Sequence, residues 1–234
     1  MQIAEIYRSI QGEGLLAGTP SCFIRTSGCN LRCHWCDTPH TSWEPQGDRW
    51  SAAAVIQAVA DLQCRHVVIT GGEPLLSADL PEVAVQLRST GHHVTIETAG
   101  SVPPAAPAGD LADLMSISPK LASSAPPATT AGNWRARHLA DRRRDEVVVA
   151  LLGGGYQLKF VIGSAADLDE ALGWLDDLGM QLSIDPGRVL MMPLGVDPDS
   201  LAAVAAWLDP ACRRLGFQFA PRHQVAWFGH RLGT

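Results

Sequence analysis

The sequence lacks several features that mark common protein classes. No apolar run approaches the roughly 20 residues that a membrane-spanning helix requires. Residues 1–5 have neither the basic start nor the apolar core of a signal peptide. Positive charge is not in excess, because the formal net charge is −6 at pH 7, so a surface for nucleic acids is not indicated. We expect a cytoplasmic protein that binds neither a membrane nor a nucleic acid.

The sequence also lacks a fourth cysteine to complete a metal site. Cys29, Cys33 and Cys36 form a C-x3-C-x2-C motif, and no further cysteine follows at a suitable spacing. A structural zinc ion binds four protein ligands, and an ordinary electron-transfer iron–sulfur cluster binds four thiolates. Three thiolates therefore indicate a metal centre with one position left open for chemistry. A zinc site completed by His34 or His40 is the alternative that the spacing leaves open.

A disulfide framework is not indicated either, because three of the six cysteines are crowded into one short segment. A chain of 234 residues fits one domain, and a domain of this size buries roughly 70–75% of the surface that its unfolded chain exposes. It therefore needs no covalent cross-links. We expect the remaining three cysteines to be buried, small apolar residues: Cys22, Cys64 and Cys212.

Lysine is scarce as well. Lys120 and Lys159 are the only lysines beside 16 arginines. In a sequence that uses arginine so predominantly, we interpret each lysine as a residue that is needed for its compact ammonium group. Chance is the alternative explanation for two lysines.

Strand and helix patterns alternate along the chain, which favours a parallel sheet in an α/β fold. Strands are predicted at 22–25, 66–70, 93–97, 114–118, 157–162, 189–192 and 217–220. Helices are predicted at 51–62, with Ser51 as the N-cap, and at 78–89, 167–178 and 199–207. Six or so strand–helix units are too few for a closed eight-fold barrel. Functional residues are expected directly after the strands.

One segment departs from this alternation. Residues 121–132 are rich in Ala, Ser, Pro and Thr and are predicted as a loop, and residues 135–152 behind them as a helix. Three consecutive arginines at 142–144 are compatible with a tRNA contact. Acidic residues stand on both sides of these arginines, so we favour a solvated helix face.

Short motifs with chemical potential lie at or near the strand ends. Residues 70–74 read Thr-Gly-Gly-Glu-Pro, where the glycines let a backbone approach a ligand; a plain strand-to-helix turn is the alternative. Asp37 and Thr38 follow the last cysteine and form either a turn or an oxygen site for Mg²⁺. Arg25 offers a planar fork to a substrate carboxylate, unless it is a plain surface residue. Residues 9–14 form either a hairpin turn or a set of groups that matches the amide-like edge of a pterin.

Together these elements resemble one family, the 7-carboxy-7-deazaguanine synthases of the radical S-adenosylmethionine superfamily. The motifs that carry the resemblance are QGEG, FIR, the C-x3-C-x2-C-DT loop, ITGGEP, IETAG, SPK and LKF. The resemblance is dense over residues 1–160 and weaker at 192–193 and 222–223. It implies an α/β fold of the incomplete β/α barrel type, as a single domain over 1–234 with a loop and helical insertion around 121–155.

The resemblance also implies cofactors and site residues. The cofactors are a [4Fe-4S] cluster held by Cys29, Cys33 and Cys36, S-adenosylmethionine, and Mg²⁺ bound by Thr38. The residues implied to bind S-adenosylmethionine are Trp35, Asp37, Gly72, Glu73, Ser118, Pro119 and Lys120. The residues implied to bind the substrate are Ile10, Gln11, Gly12, Glu13, Arg25, Thr70, His223 and Thr234. No side chain is expected to be catalytic, because a cofactor radical carries the chemistry.

The implied reaction is a ring contraction by a carbon–nitrogen lyase. 6-Carboxy-5,6,7,8-tetrahydropterin becomes 7-carboxy-7-deazaguanine with loss of ammonia, on the path to queuosine and other 7-deazapurines. A 5′-deoxyadenosyl radical takes the C6 hydrogen, which is later recovered, so that S-adenosylmethionine is regenerated. A flavodoxin or ferredoxin reductant and a homodimer are further implications.

Two alternatives remain. A radical activase of a glycyl-radical enzyme would share the cysteine motif and the TGGEP motif but would act on a protein, and the QGEG and CDT elements disfavour it. A non-enzymatic zinc module would be colourless and indifferent to oxygen.

Overall fold

One sheet of nine strands organises the fold. The computed structural model describes residues 1–229, 231 and 233. Its strands are β1 (Gln2–Ile10), β2 (Pro20–Thr26), β3 (Asp48–Arg49), β4 (His66–Gly71), β5 (His93–Thr98), β6 (Leu114–Ile117), β7 (Tyr156–Ile162), β8 (Val189–Pro193) and β9 (Gln218–Phe219). They stand in the order β3-β1-β2-β4-β5-β6-β7-β8-β9.

The sheet is mostly parallel and open. β1 pairs antiparallel with β2 and β3, whereas all neighbours from β2 to β9 are parallel. β3 and β9 are the two edges and do not pair with each other within the described residues. The prediction of an incomplete β/α barrel is therefore confirmed. The single domain over the whole chain stays a prediction.

Helices accompany the sheet, and the longest of them connect parallel strands. They are α1 (Pro39–Ser42), α2 (Ala52–Leu62), α3 (Leu80–Ser89), α4 (Ala108–Leu111), α5 (Trp134–Asp141), α6 (Asp145–Leu151), α7 (Ala165–Gly179), α8 (Pro198–Leu215) and α9 (His223–Phe228). Ser51 caps α2 as predicted, because its side chain accepts from Ala54 N at 3.2 Å. No helix in the described part of the chain is long and apolar enough to cross a membrane.

Side chains alternate between the two faces of each strand, and this alternation separates core from site. On β7, Phe160 packs edge-on against Trp174 of α7 in the main core. Its neighbours Gln157 and Lys159 face the interior of the open barrel, where they contact Ser116 and Glu13. The main core contains these large, fully buried side chains: Ile24, Ile69, Ile96, Ile117, Phe160 and Trp174. Cys22, Cys64 and Cys212 are buried and unpaired, as predicted.

Polar residues close the barrel interior at the N-terminal ends of the strands. His66 accepts or donates through both ring nitrogens, to Ser21 Oγ at 2.6 Å and Thr95 Oγ1 at 2.9 Å. Burial, together with the neighbouring His93, lowers the pKa of His66 to about 4. His66 is therefore a neutral structural residue at pH 7, and the opposite end of the interior remains for a site.

The structure corrects three sequence predictions. Strand β1 was not predicted, because Ile3 is its only buried residue and its pairing with β2 is a tertiary contact. The helix predicted over 135–152 is two helices, α5 and α6, separated at 142–144. Helix α8 continues to Leu215, past Pro210, because Leu208, Ala211 and Cys212 are buried on its inner side.

Candidate active site

The three cysteines of the motif lie in the loop between β2 and α1 and line one chamber. Gly28, with φ of +101°, turns the chain at the start of this loop, and its N–H donates to Thr41 O at 2.8 Å. Burial raises the pKa of Cys29 to about 12 and that of Cys33 to about 11. As free thiols both are neutral at pH 7, and each must release a proton when it binds a metal centre.

The residues around the thiols fit a cluster and a polar cofactor. We call this space the cysteine chamber, lined by Cys29, Cys33, Trp35, Cys36, Gly72, Ser116, Ser118, Lys120, Val161 and Met192. Nε1 of Trp35 is buried without a hydrogen-bond partner among the described residues. Lys120 Nζ donates to Ser118 O at 2.9 Å and to Ser118 Oγ at 2.8 Å. Thiols suit iron–sulfur clusters, and the free indole N–H and the hydroxyls suit a ligand rich in acceptors.

Gly71, the last residue of β4, and Gly72 bring the end of this strand into contact with the backbone of residues 26–28. A Cβ on Gly71 would lie 2.1 Å from Thr26 O, and a Cβ on Gly72 would lie 2.0 Å from Gly28 O. Gly71 also has φ of +122°, which side chains rarely tolerate. The two glycines therefore let the end of β4 pack against the backbone at the start of the cysteine loop. Gly72 also lines the cysteine chamber.

The Glu73 carboxylate does not line this chamber, which differs from its predicted role at S-adenosylmethionine. It accepts from Thr98 Oγ1 at 2.8 Å, Ala99 N at 2.9 Å and Leu75 N at 3.2 Å. Burial raises the pKa of Glu73, although these hydrogen bonds act in the opposite direction. The side chain joins the end of β5 to the turn after β4.

A second chamber adjoins the first. We call it the polar chamber, lined by Tyr7, Ile10, Gln11, Gly12, Phe23, Arg25, Gln224 and Val225. The rings of Tyr7 and Phe23 are stacked, with centroids 5.2 Å apart and 10° between the planes. Gln11 Nε2 donates to Glu97 Oε1 at 3.2 Å, and Thr70 Oγ1 donates to Glu97 Oε2 at 2.8 Å. The chamber thus has a flat aromatic wall and a polar edge.

The two chambers share one wall. The residues that line both are Glu13, Asp37, Thr38, Thr70, Gly71, Glu97 and Arg222. Thr38 Oγ1 lies 3.8 Å from Cys36 Sγ and 3.3 Å from Thr41 Oγ1. Among the described side chains, no group of three or more His, Cys, Asp or Glu is arranged to hold a single metal ion, as distinct from a multi-iron cluster. A hard cation at Thr38 would therefore take most of its ligands from a bound molecule and water.

A buried ion-pair network holds this wall. Glu13 accepts from Lys159 Nζ, from Arg222 Nε at 3.1 Å and from Gln224 Nε2 at 2.6 Å. Arg222 also donates to Asp37 Oδ2 at 2.5 Å, which connects the C-terminal segment to the cysteine loop. Burial opposes a charge on Glu13, but Lys159 and Arg222 hold its pKa well below the usual range. The Glu13 carboxylate is ionised at pH 7 and fixed in place.

Arg25 lines the polar chamber and already has partners. Its Nε donates to Glu5 Oε1 at 2.5 Å, and its Nη2 donates to Tyr7 OH at 2.5 Å. Burial lowers the pKa of Arg25, but Tyr7 and Glu5 raise it overall. A ligand carboxylate would therefore share this guanidinium with Glu5.

Pro119 and His223 join Glu73 as predicted site residues that line neither chamber. Pro119 is buried but lines neither chamber. The His223 side chain stacks on Trp227, with ring centroids 5.0 Å apart, and lines a separate groove, while its backbone N–H donates to Gly12 O at 3.0 Å. Thr234 lies outside the described residues. The other predicted residues, Glu73 excepted, line one or both chambers.

The residues at the chambers that were not predicted as site residues include Glu97, Lys159, Arg222 and Gln224. Glu97 lies in the IETAG motif and Lys159 in the LKF motif, and strand alternation puts both on the inner face. Lys159 is only 4% exposed and paired with Glu13, in line with the interpretation of a retained lysine. Arg222 and Gln224 flank His223, so the sequence pointed to this segment, and the role of His223 itself stays a prediction.

Comparison with known proteins gives matches along the whole chain. A family model described as the radical SAM superfamily matches residues 23–121. The chain is 44% identical to the 7-carboxy-7-deazaguanine synthase of Rhodopirellula baltica, over 99% of this chain and 88% of that protein. It is 42% identical to the 7-carboxy-7-deazaguanine synthase of Halobacterium salinarum, over 97% of this chain and 90% of that protein.

Solved structures share the fold. The crystal structure of QueE from Escherichia coli is similar with a TM-score of 0.67 and 24% identity, over 95% of this chain and 93% of that chain. SuiB from Streptococcus suis has a TM-score of 0.60 and 14% identity, over 88% of this chain and 49% of that chain. The superfamily match includes all three motif cysteines, which favours the cluster over the zinc alternative. With these near-complete sequence matches, the chain belongs to the 7-carboxy-7-deazaguanine synthase family of the radical SAM superfamily.

Proposed function

We propose that this protein converts 6-carboxy-5,6,7,8-tetrahydropterin into 7-carboxy-7-deazaguanine and ammonia, a step of 7-deazapurine biosynthesis such as that of queuosine. The observation that carries the proposal is the shared wall between the cysteine chamber and the polar chamber. Substrate and product differ by one molecule of ammonia, so the reaction needs no net oxidant and is a carbon–nitrogen lyase reaction.

The cysteine chamber suits the cofactors of this reaction. When bound, a [4Fe-4S] cluster and S-adenosylmethionine supply a radical that removes hydrogen from an unactivated carbon, which acid–base groups alone cannot do. The cluster ligands are Cys29, Cys33 and Cys36. The residues that seat S-adenosylmethionine are Trp35, Asp37, Gly72, Ser118 and Lys120, all of which line this chamber.

The polar chamber suits a pterin. The stacked rings of Tyr7 and Phe23 offer a flat surface to a bicyclic ring, and Gln11 and Glu97 offer an amide and a carboxylate to its polar edge. Thr70 orients the Glu97 carboxylate through its hydroxyl. Ile10, Gly12 and Glu13 complete the contact surface. Substrate contacts of His223 and Thr234 remain part of the proposal.

Thr38 and Arg25 bind the substrate carboxylate in this proposal. The Thr38 hydroxyl binds Mg²⁺ at the boundary of the chambers, and the carboxylate and water provide further oxygen ligands. Arg25, on β2, contributes a second positive charge, which it shares with Glu5. Together they hold the substrate carbon against the shared wall. A flavodoxin or ferredoxin reductant and a homodimer remain part of the proposal.

Ammonia release tests the proposal. The reconstituted protein is incubated without oxygen with a chemical reductant, Mg²⁺, S-adenosylmethionine and either 6-carboxytetrahydropterin or tetrahydropterin, and ammonia is measured with a coupled enzyme. We expect ammonia only from the carboxylated pterin. Cys33→Ala should abolish release and Cys64→Ala, a buried cysteine outside the chambers, should retain it. Ammonia from neither pterin, with 5′-deoxyadenosine still formed, would contradict the substrate assignment.

A further inference from the structure

A buried hydroxyl contacts one of the three motif sulfurs. Ser42, the last residue of α1, is 3% exposed and lines the cysteine chamber. Its Oγ lies 3.3 Å from Cys36 Sγ, and within the described residues this sulfur is the one hydrogen-bond partner of the Ser42 side chain. Buried hydroxyls are nearly always hydrogen-bonded, so the contact with Cys36 is what satisfies Ser42. Ser42 was not predicted as a site residue.

The direction of this hydrogen bond follows from the chemistry of the sulfur. A free Cys36 thiol can donate to the hydroxyl or accept from it. A cysteine that binds iron has lost its proton, because the thiolate is the metal ligand. Cys36 can then only accept, and the Ser42 hydroxyl becomes the donor.

Thr38 is a poorer donor to the same sulfur. Its Oγ1 lies 3.8 Å from Cys36 Sγ and also accepts from Thr41 Oγ1 at 3.3 Å. Thr38 stands at the boundary of the two chambers, where the proposed function assigns its oxygen to Mg²⁺. Ser42 lines the cysteine chamber alone, and its contact with the sulfur is the shorter one.

The fold holds Ser42 in this position through its two neighbours in the chain. The carbonyl oxygen of Thr41 accepts from Gly28 N at 2.8 Å, and the indole Nε1 of Trp43 donates to Cys33 O at 2.9 Å. Helix α1 is therefore attached to the cysteine loop on both sides of Ser42. The hydroxyl is fixed beside Cys36 before a cluster binds, as expected of a residue that orients a metal ligand.

We propose that Ser42 is a positioning residue that donates a hydrogen bond to the Cys36 sulfur and thereby raises the reduction potential of the cluster. The inference rests on the proposed function, which places a [4Fe-4S] cluster at Cys29, Cys33 and Cys36, but not on the identity of the substrate. Reduction by one electron adds negative charge to the cluster, and a donor directed at a sulfur stabilises that charge. Loss of the hydroxyl should therefore make the cluster harder to reduce.

A redox titration of the reconstituted protein, without S-adenosylmethionine or pterin, tests the inference. Ser42→Ala removes the hydroxyl, and Ser42→Thr keeps it. The matched control is Ser116→Ala, which removes another buried hydroxyl of the cysteine chamber. Ser116 Oγ accepts from Gln157 Nε2 at 2.7 Å and has no hydrogen bond to a sulfur in the described part of the chain.

Titanium(III) citrate is added stepwise with redox mediators in the absence of oxygen. The reduced cluster is quantified by electron paramagnetic resonance at each potential, and iron per chain is measured for every variant.

We expect a more negative midpoint potential for Ser42→Ala than for the wild type. At the midpoint potential of the wild type, the ratio of reduced to oxidised cluster in this variant should be about threefold to tenfold lower, which is the effect of one hydrogen bond. Ser42→Thr and Ser116→Ala should keep the wild-type ratio. All three variants should keep the wild-type iron content, because the cysteines are untouched.

An unchanged midpoint potential in Ser42→Ala would overturn the inference. Loss of iron from Ser42→Ala would overturn it as well, because Ser42 would then serve the folding of the loop. An equal shift in Ser42→Thr or in Ser116→Ala would show that the hydrogen bond to Cys36 is not the cause. Absence of a reducible cluster in the wild type would reject the proposed function itself, and the inference with it.

Discussion

At the scale of single residues, the site depends on charged groups that the fold buries and pairs. Lys159, on the inner side of β7, and Glu13, in the loop after β1, have side chains that are only 6% and 14% exposed, and each stabilises the charge of the other. Removing one partner would leave a buried charge with fewer partners, which is costly. The wall between the chambers is therefore rigid, and its polar groups are oriented before a substrate arrives.

Thr38 provides a test of the magnesium assignment. Thr38→Ala removes the hydroxyl at the chamber boundary, and we expect at least a tenfold loss of product formation with unchanged iron content, because the cysteines are untouched. Thr38→Ser keeps the hydroxyl and should retain most of the activity. Iron analysis and product formation over a Mg²⁺ series provide the measurement, and loss of iron from the alanine variant would reject the assignment.

His66 makes stability depend on pH. Burial lowers its pKa from 6.5 to about 4, so the unfolded chain binds a proton before the folded chain does as the pH falls. The contribution of neutral His66 to the free energy of unfolding is complete above pH 6.5 and is lost progressively from pH 6.5 down to about 4. Between pH 7 and pH 5 the free energy of unfolding should fall by about 2 kcal/mol on account of His66.

Urea unfolding of His66→Gln at the two pH values measures this contribution. The variant should be less stable at pH 7, yet its stability should fall less between pH 7 and pH 5 than that of the wild type. The control variant His223→Gln changes a residue of a separate groove, and its free energy of unfolding should fall between pH 7 and pH 5 as much as that of the wild type. If the free energy of unfolding fell equally between pH 7 and pH 5 in His66→Gln and in the wild type, the account would be contradicted.

At the scale of elements, the segment between β6 and β7 supports the cysteine loop. His138 of α5 is fully buried and accepts from Arg32 N at 3.1 Å, while its other nitrogen bonds Ser124 Oγ at 2.8 Å. Burial, together with the nearby Arg142, lowers the pKa of His138 to about 4. The neutral ring therefore joins the loop to the helix.

His138→Ala should loosen this connection. The variant leaves the Arg32 N–H without its acceptor, removes one of the two hydrogen bonds of the Ser124 hydroxyl, which still donates to Leu121 O, and creates a cavity, at a cost of about 2–4 kcal/mol. We expect a lower thermal midpoint and less iron per chain after reconstitution. His138→Asn keeps an acceptor near Arg32 N and should recover part of the loss. Normal iron content in the alanine variant would mean that the loop folds independently of α5.

Sequence patterns predicted elements well where local signals agree with the fold. The parallel strands and helices α2 and α7 follow from apolar periodicity and a capping serine. The break at 142–144 could not be predicted, because it depends on carboxylates of α7 that reach Arg142 and Arg143. Strand β1 likewise depends on its pairing with β2 rather than on its own composition.

At the scale of the whole molecule, the topology brings motifs that are distant in sequence to one end of an open barrel. The cysteine loop follows β2, the TGGEP motif ends β4, and the SPK motif follows β6, so parallel pairing collects them at the C-terminal ends. The position of these motifs at one end of the sheet could be predicted from the sequence. The contact between Glu13 and Arg222 spans almost the whole chain, and only the folded structure reveals that the C-terminal segment completes the wall.

Mass spectrometry of the anaerobic reaction tests the central claim most directly. Reconstituted protein, reductant, Mg²⁺, S-adenosylmethionine and 6-carboxytetrahydropterin are combined, and the products are identified by mass. The account predicts 7-carboxy-7-deazaguanine in large excess over 5′-deoxyadenosine, because S-adenosylmethionine is regenerated. Accumulation of 5′-deoxyadenosine and methionine alone would contradict the assignment of the pterin to the polar chamber.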